Sequence, residues 1–261
     1  MGTSKIYSSP KWPGVNTAVG IAASSGSPSN QKISAAIGAF ASAFKNYLTS
    51  GTISPGSSGG GGGSIKGSQK LSSGGGSGGA ARLRTASSGA RLAHFINTAG
   101  KSGLDAALRE FDLSDLLDKP LEEFLDLVAE RLSAEGGLLD DEAFNRAMAE
   151  TVNELSETVH SVDELDALLT SGNINIEAVL QIYYANILAA NFEQKEYSTV
   201  CEKIPRENTQ DFFVRAREVI RAIVREELSA ERDLATIDWN SEDGQRMADE
   251  INQEVLDILI P

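Results

Sequence analysis

A long Gly/Ser stretch, GTISPGSSGGGGGSIKGSQKLSSGGGSGGAA, constrains this chain more than any other feature. It offers almost no apolar side chain to bury, and tracts of this composition behave as flexible coils. The sequence therefore predicts a Gly/Ser-rich linker over residues 50–84. This linker divides the 261-residue chain into a short N-terminal part and a longer C-terminal part.

Charge is divided along the chain in the same way. Residues 1–104 contain ten Lys or Arg and no Asp or Glu, whereas all 37 acidic residues lie from Asp105 onward. Such asymmetry indicates that the two parts have different roles. The basic part has three possible partners on this ground: nucleic acid, an acidic protein, or the acidic part of its own chain.

Residues 85–261 have the apolar spacing of helices. In KPLEEFLDLVAERL, Leu121, Phe124, Leu125, Val128 and Leu132 fall on one helical face. IEAVLQIYYANILAANF is the most apolar segment and is the predicted central helix. No alternating strand pattern competes. The predicted fold class is all-α, a helical bundle preceded by a flexible, basic, Gly/Ser-rich N-terminal region.

Capping residues mark the helix ends. Ser161 and Glu164 form an S-x-x-E capping box, in which the two residues satisfy each other's backbone N–H groups. Short polar side chains predict further helix starts, and a glycine predicts a stop. The other predicted starts are Asn175, Thr209, and Asn240 or Ser241, and the predicted stop is Gly100.

The N-terminal part has two predicted sections. Residues 1–29 are rich in Pro, Ser and Gly and lack an apolar period, which predicts a mobile tail. Residues 30–49 predict an amphipathic helix. Its apolar face either docks on this chain's own core, the favoured interpretation, or fits the groove of a partner. The residues of that face are Ile33, Ile37, Phe40, Phe44 and Tyr47.

The residue types that catalysis needs are scarce. One cysteine, Cys201, and two histidines, His94 and His160, carry no local nucleophile–base signature and no zinc-ligand spacing. Gly100-Lys101-Ser102 matches the end of a phosphate-binding loop, but Phe95 stands at its first glycine position. We therefore predict a protein that is not an enzyme, with no catalytic residue, no metal site and no cofactor.

The chain is expected to be cytoplasmic. A single cysteine fits a reducing compartment, and no apolar run in the sequence is long enough to cross a bilayer. The start MGTSKI also departs from a myristoylation signal, because Ile6 stands where Ser or Thr is required. We expect no membrane partner.

The opening MGTSKIYSSPKWPGVN, the Gly/Ser tract and the acidic helical part together resemble the QatB family of the bacterial Qat anti-phage defence system. The resemblance implies three companions: an ATPase (QatA), a homologue of 7-cyano-7-deazaguanine synthase (QatC) and a nuclease similar to TatD-type DNases (QatD). It further implies that QatC joins a 7-deazaguanine-type base to the N-terminal glycine. That glycine is Gly2 here, once Met1 is removed.

The residues after Gly2 suit recognition by such a partner. Two are small, two are basic, and two are aromatic residues of the kind that anchor protein interfaces. The predicted partner-binding residues are Thr3, Ser4, Lys5, Tyr7, Lys11 and Trp12. Two alternatives stay open: an assembly adaptor whose tail is only a tether, and a subunit that presents nucleic acid through phosphate contacts, which the sparse basic residues do not favour.

Overall fold

The computed structural model describes residues 12–24, 29–49, 77–133, 141–228, 232 and 234–261. Within these ranges all regular structure is helical, and the predicted all-α class is confirmed. A 3₁₀ turn at Ser114–Leu116 joins two of the helices. The α-helices are α1 Pro13–Ala23, α2 Asn30–Thr49, α3 Ser77–Ser102, α4 Leu104–Glu110, α5 Leu121–Ser133, α6 Asp141–Ser156, α7 Val162–Thr170, α8 Ile176–Cys201, α9 Arg206–Glu227 and α10 Glu242–Leu259.

Helix α8 is the centre of the bundle, as its apolar sequence predicts. It packs against α1, α2, α3, α6, α9 and α10. Its side chains are buried on every face over Val179–Phe192, including both Tyr183 and Tyr184. A helix that is apolar all round is stable in water only when other helices enclose it, which is its situation here.

Three predicted caps form hydrogen bonds at helix starts. The side chains of Ser161, Asn175 and Ser241 accept from the backbone N–H groups of residues 164, 178 and 244. Glu164 in turn accepts from the backbone N–H of His160. Each cap satisfies a donor that the first helical turn would leave without a partner.

Two predicted helix ends differ in the structure. Helix α9 begins at Arg206, directly after Pro205, so Thr209 lies inside the helix and its hydroxyl donates to the Pro205 carbonyl. Helix α3 continues through Gly100 to Ser102 and ends where Gly103 adopts a φ of 87°. A positive φ favours glycine, so Gly103 rather than Gly100 makes the turn.

The structure also differs from the sequence-based expectation in the N-terminal part. Helix α1 lies inside the segment 1–29, for which a mobile tail was predicted, and α3 begins at Ser77, inside the predicted linker. Helix α1 buries Val15 and Val19 after Pro13 at its first position. The start of α3 is tied to α10 by an ion pair between Arg82 and Asp249.

Helices α1 and α2 belong to the same hydrophobic core as the C-terminal helices. Helix α2 packs on α3, α8, α9 and α10, and a Cβ on its Gly38 would lie 2.5 Å from the ring of Pro261. The boundary drawn at residues 84 and 85 therefore does not separate two cores.

Candidate interaction site around Trp12

Trp12 is the last residue before α1 and is packed on the body of the protein. Its ring meets the Phe40 ring edge-on at a centroid distance of 5.3 Å and lies 6.4 Å from the Tyr47 ring. The Nζ of Lys195 stands 5.8 Å from the centroid of the same indole, a cation–π distance. Trp12 is thus held by α2 and α8, and the chain that precedes it starts from a fixed point.

Helix α1 runs beside α8 in the same direction. Trp12 lies beside Lys195, and a Cβ on Gly20 would lie 3.6 Å from the Cε of Lys203. Trp12 and Gly20 are eight residues apart, and so are Lys195 and Lys203. The contacts therefore follow the same order along both segments, which requires a parallel arrangement. At this distance the Lys203 side chain lies in ordinary van der Waals range of α1.

An open cleft of about 740 Å³ lies between α1 and the end of α8. Asn16, Gly20 and Ile21 line it from α1, and Ser198 and Lys203 line it from the other side. A second cleft of about 600 Å³ shares Ser24 and Lys203 with the first and extends over α9. We call the first of these the α1–α8 cleft.

The five residues of the predicted partner helix face the core of this chain. Ile33, Ile37, Phe40 and Phe44 are buried, and Tyr47 is half-buried against them. Phe40 also meets Phe192 of α8 at 5.2 Å. In this conformation the apolar face of α2 is covered by the protein itself, which corresponds to the favoured of the two interpretations made from its sequence.

The other predicted site residues lie before the described part of the chain. These are the modification site Gly2 and the partner-binding residues Thr3, Ser4, Lys5, Tyr7 and Lys11. Only Trp12 of that group has a described position. Its ring contacts are intramolecular, whereas the sequence-based expectation made it an anchor for a partner.

Several basic side chains of the N-terminal part contact the acidic part of the same chain. Arg82 donates through Nε to both oxygens of Asp249, at 3.0 and 3.1 Å, and this hydrogen bonding raises the pKa of the guanidinium. Lys45 pairs with Asp257, and Lys101 donates to the Ala235 carbonyl at 2.6 Å. One of the three possible partners of the basic part is therefore its own acidic helices.

The candidate reactive residues have separate neighbours. The Nε2 of His94 lies 2.7 Å from Glu110 Oε1 and 2.9 Å from Asn240 Nδ2. The Sγ of Cys201 lies 3.6 Å from the Thr209 hydroxyl. Across the described ranges, no three His, Cys, Asp or Glu residues are grouped as metal ligands.

Sequence reasoning missed the residues of the α1–α8 cleft. A signal for α1 was present, since Pro13 precedes apolar residues at Val15, Val19 and Ala22, spaced for one helical face. Lys203, which lines the cleft, and Lys195, which contacts Trp12, gave no local signal, because these contacts join residues far apart in the sequence.

Comparison with known proteins gives one family. A family model described as "Qat anti-phage system associated protein QatB" matches residues 74–259. No curated protein and no solved structure matches the chain. The matched range covers α3 to α10 and begins after α1 and α2. Among the described helices, none has the length and apolar character to cross a membrane.

Proposed function

Because this chain belongs to the QatB family of the Qat anti-phage system, we propose that it is the non-catalytic partner and substrate of the QatC homologue in that system. In this proposal QatC attaches a 7-deazaguanine-type base to the α-amine of Gly2, after removal of Met1. The family match is evidence for a role in the Qat system. The modification and its site extend beyond that match, which begins at residue 74.

The proposed reaction needs one group of this chain, the α-amine of Gly2. A synthase of the QatC kind activates a carboxylate with ATP, and the amine nitrogen then attacks the activated carbonyl carbon. An amide C–N bond forms, the activating phosphate group leaves, and the nitrogen loses a proton. A free α-amine has a pKa of about 7.7–8.0, so a useful fraction is unprotonated at neutral pH. Glycine presents this amine without a side chain.

The observation that most supports the proposal is the packing of Trp12. Its contacts with Phe40 and Lys195 fix the position of Trp12 on the helical body. Ten residues, Gly2 to Lys11, precede Trp12 in the sequence, and we call them the N-terminal arm. At about 3.3–3.6 Å per residue, this arm extends at most about 35 Å from Trp12. A narrow active site can therefore receive Gly2 without entry of the helical body.

A non-catalytic role agrees with the neighbours of the reactive side chains. Cys201 contacts Thr209, and His94 contacts Glu110 and Asn240. A nucleophile needs a base within hydrogen-bond reach. The described contacts of this thiol and this imidazole do not provide that pairing.

A nucleic-acid-presenting role is less well supported. Binding to phosphates depends on basic side chains that neutralise them. In this chain Lys45 and Arg82 pair with carboxylates of α10, and Lys101 donates to a backbone carbonyl. An assembly adaptor without modification is the alternative that the following experiment separates from the proposal.

Variants of Gly2 test the proposal. The chain is produced with its neighbouring genes, and intact mass and protection against phage are measured. Gly2→Leu retains Met1 and blocks the amine, so we expect neither added mass nor protection. Gly2→Ala still loses Met1 and adds one methyl group, so we expect reduced modification. Gly14→Ala is the matched control, since a Cβ there has no atom within 4 Å. An unmodified wild-type chain and a protective Gly2→Leu variant would establish the adaptor role instead.

A further inference from the structure

The connection between α2 and α3 is long compared with the gap that separates the two helices. Helix α2 ends at Thr49 and α3 begins at Ser77, so residues 50–76 join them. We call these residues the connecting tract. An extended chain of this length spans roughly 90 Å. Helices α2 and α3, in contrast, pack on each other and both pack on α10. The positions of the two helix ends along α10 decide how much of the tract is needed.

Helix α3 runs antiparallel to α10. Arg82, five residues after the start of α3, pairs with Asp249. His94, further along α3, contacts Asn240, two residues before α10 begins. Later residues of α3 therefore meet earlier residues of α10. The start of α3 lies about five residues beyond Asp249, toward the C-terminal end of α10.

Helix α2 also runs antiparallel to α10. A Cβ on Gly38 would lie 3.0 Å from the backbone oxygen of Leu259, near the end of α10. Lys45, four residues before the end of α2, pairs with Asp257, which lies earlier on α10. The end of α2 therefore lies about four residues before Asp257 along α10.

The end of α2 and the start of α3 thus meet α10 at nearly the same height. Four residues back from Asp257 is Gln253, and five residues on from Asp249 is Glu254. These two positions differ by about 1.5 Å along the helix. Helices that pack side by side have axes about 8–10 Å apart. A connection of about ten residues, which extends to roughly 35 Å, crosses such a gap with length to spare.

We propose that the packing of α1 and α2, rather than the connecting tract, sets the position of the N-terminal helices on the body, and that most of the tract is not needed to join them to α3. Trp12 then keeps its place whatever the length of the tract. A module held only by a tether behaves differently, because its effective concentration depends on the tether length. One consequence rests on the proposed function: modification of Gly2 does not depend on the length of the tract.

Changes in tract length test the proposal on the full chain. One variant has residues 50–76 replaced by ten Gly/Ser residues, and another has the tract duplicated. In a Cys201→Ser background, Thr17→Cys on α1 and Glu250→Cys on α10 carry spin labels at exposed positions. Double electron–electron resonance measures the distance between the labels. We expect one narrow distribution with the same mean in all three chains. Glu226→Cys with Glu250→Cys is the control pair, since neither position lies on α1 or α2. A broad distribution, or a mean that moves with tract length, would overturn the proposal.

Stability and modification are measured on the same chains. The entropy of closing a connection depends weakly on its length, so we expect shortening to change the folding equilibrium constant by about fourfold at most. A short chain that fails to fold, or that dimerises by exchanging α1 and α2, would show that ten residues do not cross the gap and would overturn the proposal.

The rate of Gly2 modification by the QatC homologue should be equal in the three chains. Slower modification of a short chain that keeps the natural distance would contradict the independence from tract length and leave the proposed function standing. An unmodified natural chain would contradict the proposed function, while the distances would still decide whether packing positions the N-terminal helices.

Discussion

Gly89 lies where α3 approaches α8, and the missing side chain makes room for Tyr184. A Cβ at this position would lie 2.0 Å from the Tyr184 hydroxyl oxygen and 2.7 Å from Cζ. The neighbouring Ser88 receives a hydrogen bond from Tyr183 at 2.8 Å. Two adjacent tyrosines of the central helix thus depend on two adjacent small residues of α3.

Gly89→Ala is therefore expected to destabilise the protein. Overpacking of a filled core costs about 1–3 kcal/mol, even though alanine is the better helix former. Chemical denaturation gives the free energy of unfolding. Gly14→Ala is the control, since that position is exposed and open. Equal stabilities for the two variants would show that α3 and α8 are not packed as described.

Glu196 is a second residue whose burial has a measurable effect on the free energy of unfolding. It is 3% exposed on α8, and its Oε2 has no hydrogen-bond partner among the described residues. Burial disfavours the charged carboxylate and raises its pKa above the ordinary 4.5, although a hydrogen bond with Thr199 opposes this. A raised pKa means that the folded state binds the proton more tightly than the unfolded chain does. The resulting stabilisation is full below about pH 4.5 and is lost as the pH rises through the folded-state pKa.

Glu196→Gln removes the buried charge. We expect a gain in the free energy of unfolding on the order of 1 kcal/mol at pH 7, and a smaller gain at pH 4, where the wild-type carboxyl is already protonated when folded. Glu226→Gln, at an exposed position of α9, should change little at either pH. A gain at pH 4 that equals the gain at pH 7 would contradict burial of a charged Glu196.

At the scale of elements, an ion network joins α6, α8 and α9. Arg217 of α9 reaches Glu150 of α6 at 3.2 Å and Glu193 of α8 at 3.3 Å. Arg146 also contacts both carboxylates, at 3.1 and 2.7 Å. Burial is the main cause that lowers the pKa of Arg217. Charged groups in such a place are stable only with their partners present.

Loss of Arg217 is expected to weaken the contact of these helices. Arg217→Ala leaves Glu150 and Glu193 with one cation fewer, and we expect a loss of about 2 kcal/mol in unfolding free energy. Arg225→Ala, about two turns further along α9, removes a side chain that is 62% exposed and forms an ion pair with Glu154. It should cost less than about 1 kcal/mol. Thermal denaturation of both variants measures the difference. A larger loss for Arg225→Ala would contradict the buried position of the network.

The elements that sequence could predict are those whose signals are local. Helix α7 has its capping box at Ser161, and α10 has its cap at Ser241; both start where those residues indicate. The first turns of α3 gave no such signal, because Gly and Ser dominate there and the stabilising Arg82–Asp249 pair joins distant residues. Helix α1 was missed because small residues make most of its buried face, including Ala22 and Ala23.

At the scale of the whole molecule, folding brings some basic residues of the N-terminal part next to acidic residues of the C-terminal part. Lys45 and Arg82 from the basic part pair with Asp257 and Asp249 on α10. Composition alone left three partners open for that part, because it does not determine which charges meet. The position of Trp12 was beyond sequence reasoning for the same reason, since Phe40 and Lys195 lie in other helices.

The helical body and the N-terminal arm have separate roles in the proposed function. The ten α-helices of the described part form one core, against which Trp12 packs, and the amine of the proposed reaction belongs to Gly2, ten residues before Trp12 in the sequence. The proposed modification of Gly2 depends on that division. We therefore expect chemistry at Gly2 and nowhere on the helical body.

Top-down mass spectrometry of the intact chain tests this claim most directly. The protein is purified from cells that carry all of its neighbouring genes, and in parallel from cells that lack only the QatC homologue. We predict an added mass in the first sample alone, retained on N-terminal fragments that include Gly2 and absent from every fragment that begins after Trp12. An unmodified chain in both samples, or an added mass on the helical body, would contradict the account.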